Sequence, residues 1–246
     1  MCSTFFLQNR RIWQLIKNCW INIREVHFIH VELEFQEIYH EPNPGITFPP
    51  TLKKLVFSRG AISANLFNKL TWELQSGRMD GSMEIIFYRE SSIAGQHWQI
   101  FLKFFKVMLH HLETISITKC GLQHHHITEM AEAMSSCQNS PLEEFTLLDY
   151  EVGFLGYCEI AESMLSSKMH AAENFPNLKG ISLLMAPDDD ELEPPWYDQL
   201  KQQLVKLVND NGREEVEIRE YMSYYDEMDD ESKTWTTPDN QDSLDG

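Results

Sequence analysis

Leu112-Glu113-Thr114-Ile115-Ser116-Ile117-Thr118-Lys119-Cys120-Gly121-Leu122 is the stretch on which the fold turns. Leu112, Ile115 and Ile117 follow an apolar-x-x-apolar-x-apolar spacing. Its second half alternates and is β-branched, which is a strand signal. The same spacing recurs as Ile23-Val26-Phe28, Leu52-Leu55-Phe57, Met83-Ile86-Tyr88, Leu142-Phe145-Leu147 and Leu178-Ile181-Leu183. A seventh, weaker copy has Val216 and Ile218, with Arg213 at its first position. Successive first positions are 29, 31, 29, 30, 36 and 35 residues apart.

Five of the motifs are followed by apolar residues spaced three and four apart, as an amphipathic helix requires. These sets are Ile62, Leu66, Leu70 and Leu74; Trp98, Phe101, Leu102, Phe105 and Leu109; and Ile127, Met130, Ala131 and Met134. Tyr157, Ile160, Ala161, Met164 and Leu165 form the fourth, and Trp196, Leu200, Leu204 and Leu207 the fifth. Pro49-Pro50, Pro141 and Pro176 precede three of the strand motifs and stop whatever helix came before. Strand, loop and helix repeated near 30 residues predict an α/β solenoid. Its parallel sheet would line the inside and its helices the outside, in six to seven irregular repeats.

Residues 112–122 also resemble the leucine-rich repeat L-x-x-L-x-L-x-x-N/C-x-L, and the steps of 29 to 31 resemble its long, ribonuclease-inhibitor type. That type forms the sensor region of the NACHT–leucine-rich-repeat (NLR) receptors of innate immunity, which assemble inflammasomes. The resemblance spans about residues 20–222. Only one copy keeps the N/C position, at Cys120; the others carry Val31, Gly60, Ser91, Tyr150, Ala186 and Tyr221. It implies a ligand-sensing or autoinhibitory interaction module without enzymatic activity, whose nucleotide-binding domain is not on this chain. Residues 1–19 (Ile12, Leu15, Ile16 and Cys19 on one face) read as the helix of a truncated preceding repeat, so Met1 is expected to begin a fragment or isoform.

Composition excludes several classes. The 246 residues are 42% hydrophobic and 24% charged, enough for a core. A net charge of −18 disfavours a nucleic acid or an anionic membrane as partner. No apolar run is long enough for a transmembrane helix, and Arg10-Arg11 follow the apolar Phe5-Phe6-Leu7 instead of preceding it, unlike a secretory signal. Five cysteines without a C-x-x-C point to a reducing, cytoplasmic setting. Acids concentrate from Pro187 onward, and 223–246 is expected to be an acidic disordered tail.

If the motif residues face the core, the alternate residues line a concave face. With the motifs as written, its middle row is His27, Val56, Phe87, Ser116, Thr146, Ser182 and Glu217, and its outer row Ile29, Ser58, Arg89, Thr118, Leu148, Leu184 and Arg219. His27 is the only histidine in these rows, too few groups for a catalytic triad. Lys54, Phe87, Arg89, Leu148 and Leu184 are the expected protein-binding residues. His124-His125-His126 fan apart on a helix, Asp188-Asp189-Asp190 lacks the EF-hand glycine, and no phosphate loop exists, so neither metal nor cofactor is expected. Two other classes fit a repeat protein: a ubiquitin-ligase adaptor, and an acidic-tailed chaperone of basic proteins.

Overall fold

The computed structural model describes residues 24–29, 32–33, 48, 51–79, 82–90, 93–149, 151–185 and 195–221. Within them the chain is an α/β protein. Its strands are β1 (Glu25–Ile29), β2 (Glu32–Leu33), β3 (Lys54–Ser58), β4 (Ala61–Ile62), β5 (Glu84–Tyr88), β6 (Thr114–Thr118), β7 (Glu144–Leu148), β8 (Gly180–Met185) and β9 (Glu217–Tyr221). Its helices are α1 (Ala64–Gln75), α2 (Trp98–His111), α3 (His124–Ser135), α4 (Gly153–Leu165), α5 (Ala171–Asn174) and α6 (Tyr197–Asp210). Seven strands make one parallel sheet in the order β1-β3-β5-β6-β7-β8-β9, while β2 and β4 pair separately. Every strand of the large sheet therefore lies beside its nearest large-sheet neighbours in the sequence.

Register ranks the apolar residues. Val26, Leu55, Ile85, Ile115, Phe145, Ile181 and Ile218 stand opposite one another across the sheet. Phe28, Phe57, Phe87, Ile117 and Leu147 form the next rank. Both ranks pack on the helices, whose core residues include Leu66, Leu70, Phe101, Phe105, Met130, Met134, Ile160, Met164, Leu200 and Leu204. Phe87 meets Phe101 edge-on at 5.5 Å and 89°, a favoured ring geometry.

Local chemistry ends the helices where the spacing stops. Gly77, at φ +67°, follows α1. It donates its N–H to Leu74 O, and Arg78 donates to Glu73 O, which is a Schellman stop. Gly212, at φ +62°, repeats this after α6, with Arg213 donating to Val208 O.

Three features depart from the sequence reading. In β5 the core-facing pair is Ile85 and Phe87, not Ile86 and Tyr88. The strand Glu84-Ile85-Ile86-Phe87-Tyr88 is apolar on both faces, so alternation does not choose between them; pairing with Leu55 and Phe57 does. In β9 it is Ile218, not Val216, that stands opposite Ile181, and the register shifts again before Leu184. A 3-10 turn at Ser167–Met169 and the short α5 account for the long fifth step, where no element was expected. The helix expected over 1–19, the acidic tail expected over 223–246 and the Asp188-Asp189-Asp190 run lie outside the described residues.

Candidate functional site

The sheet face turned away from the helices is built from the residues that alternate with the core ranks. Its first rank is Glu25, Lys54, Glu84, Thr114, Glu144, Gly180 and Glu217. Its carboxylates have basic side chains beside them. His27 Nε2 lies 3.5 Å from Glu25, and Lys54 Nζ lies 3.2 Å from Glu84. Arg219 on β9 binds both Glu217, at 2.8 Å, and Glu144 on β7. Hydrogen bonds to these two carboxylates hold the Arg219 guanidinium above its usual pKa. Gly180 makes that span possible: a Cβ there would stand 2.4 Å from Glu144 Oε2 and 3.0 Å from Arg219 Cζ.

Parts of the next ranks are closed, although His27 and Thr146 are not buried. Val56 is 0% exposed, Ile86 4%, Tyr88 1% and Leu148 2%. Two expected binding residues are thereby corrected. Phe87 is fully buried on the helix-facing side, because β5 is registered one residue from its apparent motif. Leu148 keeps its place on the far face, beside Glu144 and Thr146, but is itself buried. Lys54 and Arg89 are on the surface as expected, although Arg89 lies just past β5 and the strand position is Tyr88. The Leu184 backbone pairs with Glu220; its side chain lies outside the described residues.

At the end of the sheet stands a column of three cations, of which the row reading reached only Arg89. Arg59, Arg89 and Lys119 each follow a strand directly and occupy the left-handed region, at φ 57°, 51° and 54°. Their N–H groups donate to the next strand, to Tyr88 O at 3.0 Å, Thr118 O at 2.8 Å and Leu148 O at 2.6 Å. Their charged groups converge on the Tyr88 ring, Arg89 at 5.3 Å, Arg59 at 5.9 Å and Lys119 at 6.0 Å from its centroid. These are cation–π distances. The 30-residue spacing of these bases was the available signal; a reading of positions two, four and six past each motif stops short of two of them.

The column ends at Asp149, the next residue in that series. Asp149 is buried and accepts the Leu122 N–H at 2.9 Å, while Tyr157 Oη accepts its N–H and donates to its carbonyl, both at 2.7 Å. Burial pushes its carboxyl pKa up, against the opposing hydrogen bond from Leu122. Cys120 lies beneath the same loop, its thiol donating to Thr118 O at 3.3 Å; burial holds it protonated.

The histidine run serves the fold. His126 Nδ1 accepts the Gln123 N–H at 3.0 Å and so caps α3, and its ring packs 4.3 Å from Trp98. His124 faces Glu159 at 3.5 Å. Among the described residues, no group of three or more His, Cys, Asp or Glu is arranged to hold a metal, and no helix is long and apolar enough to cross a membrane. The column sets three cationic side chains around one aromatic ring. No family model matches the chain, and no curated protein matches it significantly.

Proposed function

We propose that the protein is a leucine-rich-repeat solenoid that binds another protein and carries out no chemistry of its own. The strand order, the recurrence of in-register ranks at steps near 30 and the single core shared by sheet and helices support the solenoid reading. The Arg59–Arg89–Lys119 column around Tyr88 carries the binding reading. Three bases stand where backbone geometry favours glycine or asparagine, and such strain at consecutive equivalent positions supports reading them as a functional surface. The partner is a cytoplasmic protein presenting acidic side chains. The sensor or autoinhibitory end of an NLR-type receptor is the family role we assign, on the resemblance of residues 112–122 and the repeat length.

The test compares the full chain with Arg59→Asn/Arg89→Asn/Lys119→Asn as baits in cytosolic extract. Asparagine accepts the left-handed backbone, so circular dichroism should be unchanged. Partners held by the parent and lost by the variant support the proposal. Identical captures reject it.

A further inference from the structure

The outer faces of neighbouring helices divide by charge. The helices stand in the order α1, α2, α3 and α4 along one side of the sheet. On α1 and α2 the charges that reach solvent are positive. α2 contains no acid, and the one acid of α1, Glu73, is buried against Lys69. On α3 and α4 the division reverses: both contain glutamates and neither contains Lys or Arg. With 38 acids to 20 bases in the chain, a pair of helices without an exposed acid stands against its composition.

The charges also occupy equivalent places. Lys103 and Lys106 are the sixth and ninth residues of α2, and Glu129 and Glu132 the sixth and ninth of α3. Glu159 and Glu162 are the seventh and tenth of α4. A spacing of three keeps each pair on one side of its helix. Lys103, Lys106, Glu132 and Glu162 are exposed, and none forms an ion pair or side-chain hydrogen bond among the described residues. On α1 the sixth and ninth residues are Lys69 and Trp72. Trp72 is 45% exposed and lies between two cations, with Lys69 Nζ and Arg78 Cζ each 4.3 Å from its ring centroid.

We propose that this surface binds a second copy of the chain, α2 of each copy lying on α3 of the other and α1 on α4. A twofold axis in the interface, parallel to the helices along the α2–α3 boundary, produces this arrangement. It reverses the order of the helices and keeps their direction, so Lys106 is set toward Glu132 of the partner subunit. Trp72 and Arg78 are set toward Glu162 of the partner subunit. Both signs on one surface at matching spacing make the chain its own complement; a partner of uniform charge would match only half of it. Symmetry makes each contact twice. Exposed ion pairs are individually weak, so the dimer is reversible and salt-sensitive, with Trp72 as its aromatic anchor. The contact does not depend on the function proposed above.

Sedimentation velocity on the full chain tests it. The expected result is a monomer–dimer equilibrium that moves toward dimer with concentration and toward monomer in about 1 M salt, where exposed charges are screened. Lys106→Glu and Glu132→Lys should each weaken dimerisation about tenfold or more, because symmetry then opposes two pairs of like charges. Both side chains are exposed, so circular dichroism should be unchanged. Mixed one to one, the two variants should regain the parent's dimer fraction, since both pairs are again of opposite sign. A parent that stays monomeric at every concentration, a dimer indifferent to salt, growth beyond two copies, or a mixture no more dimeric than either variant alone overturns the proposal. No partner protein enters this experiment, so its failure and that of the proposed function remain separate results.

Discussion

Phe57 on β3 and Phe87 on β5 stack with centroids 5.5 Å apart and planes 11° from parallel. Phe28 continues the stack at the same spacing and angle. Both Phe57 and Phe87 are essentially inaccessible to solvent, so this pair belongs to what holds neighbouring strands in register. Truncating Phe87 to alanine should cost about 3 to 5 kcal/mol. A urea midpoint that falls sharply checks this; an unchanged midpoint would return Phe87 to the surface.

Replacing the cations acts in the opposite direction. Arg59, Arg89 and Lys119 hold a left-handed backbone that asparagine or glycine adopts more readily. Each single Asn substitution should leave stability unchanged or raise it by up to about 1 kcal/mol. Thermal melts of the three variants decide this, and a loss above about 1 kcal/mol in any of them would place that side chain in the fold's support.

Gly180→Ala probes the bridge from β9 to β7. The new methyl meets only the flexible ends of Glu144 and Arg219, so the pair should part while the sheet persists. Arg219 is largely exposed, and such pairs contribute about 0 to 1 kcal/mol. A double-mutant cycle with Glu144→Gln should therefore show small coupling in the parent and none once alanine is at 180.

His126 gives stability a pH dependence of known sign. Burial, aided by neighbouring His125 and opposed by Glu129, lowers its pKa in the folded protein. The unfolded chain then binds the proton first, at about pH 6.5. Stability contributed by the neutral ring is present above that pH and is lost as pH falls toward the folded value. His111, lowered by burial and by His110, adds to the same slope. His126→Gln keeps an acceptor for the Gln123 N–H and should flatten part of the fall in melting temperature between pH 7 and about 5.

Much of the architecture was legible because burial is periodic. Leu112, Ile115 and Ile117, and likewise Leu142, Phe145 and Leu147, are in the core as their spacing requires. Legibility failed where both faces of a strand are apolar. In β5 either Ile85 and Phe87 or Ile86 and Tyr88 could face inward, and only the neighbouring strands decide. That one-residue slip took Phe87 for a surface anchor and hid Tyr88, around which the cations gather. The short α5 gave no signal because four residues are too few to show a helical period. Arg59 and Lys119 were hidden for a different reason: their importance lies in backbone conformation, which one sequence does not display.

The pairing order of the large sheet bears on how the chain is made. Each strand's partner lies 29 to 37 residues earlier, from Val26 and Leu55 through Ile181 and Ile218. The entropy of loop closure is therefore nearly the same at every step. A nascent polypeptide leaving the ribosome can lock each layer onto the last as soon as the next few dozen residues have emerged, without waiting for its far terminus.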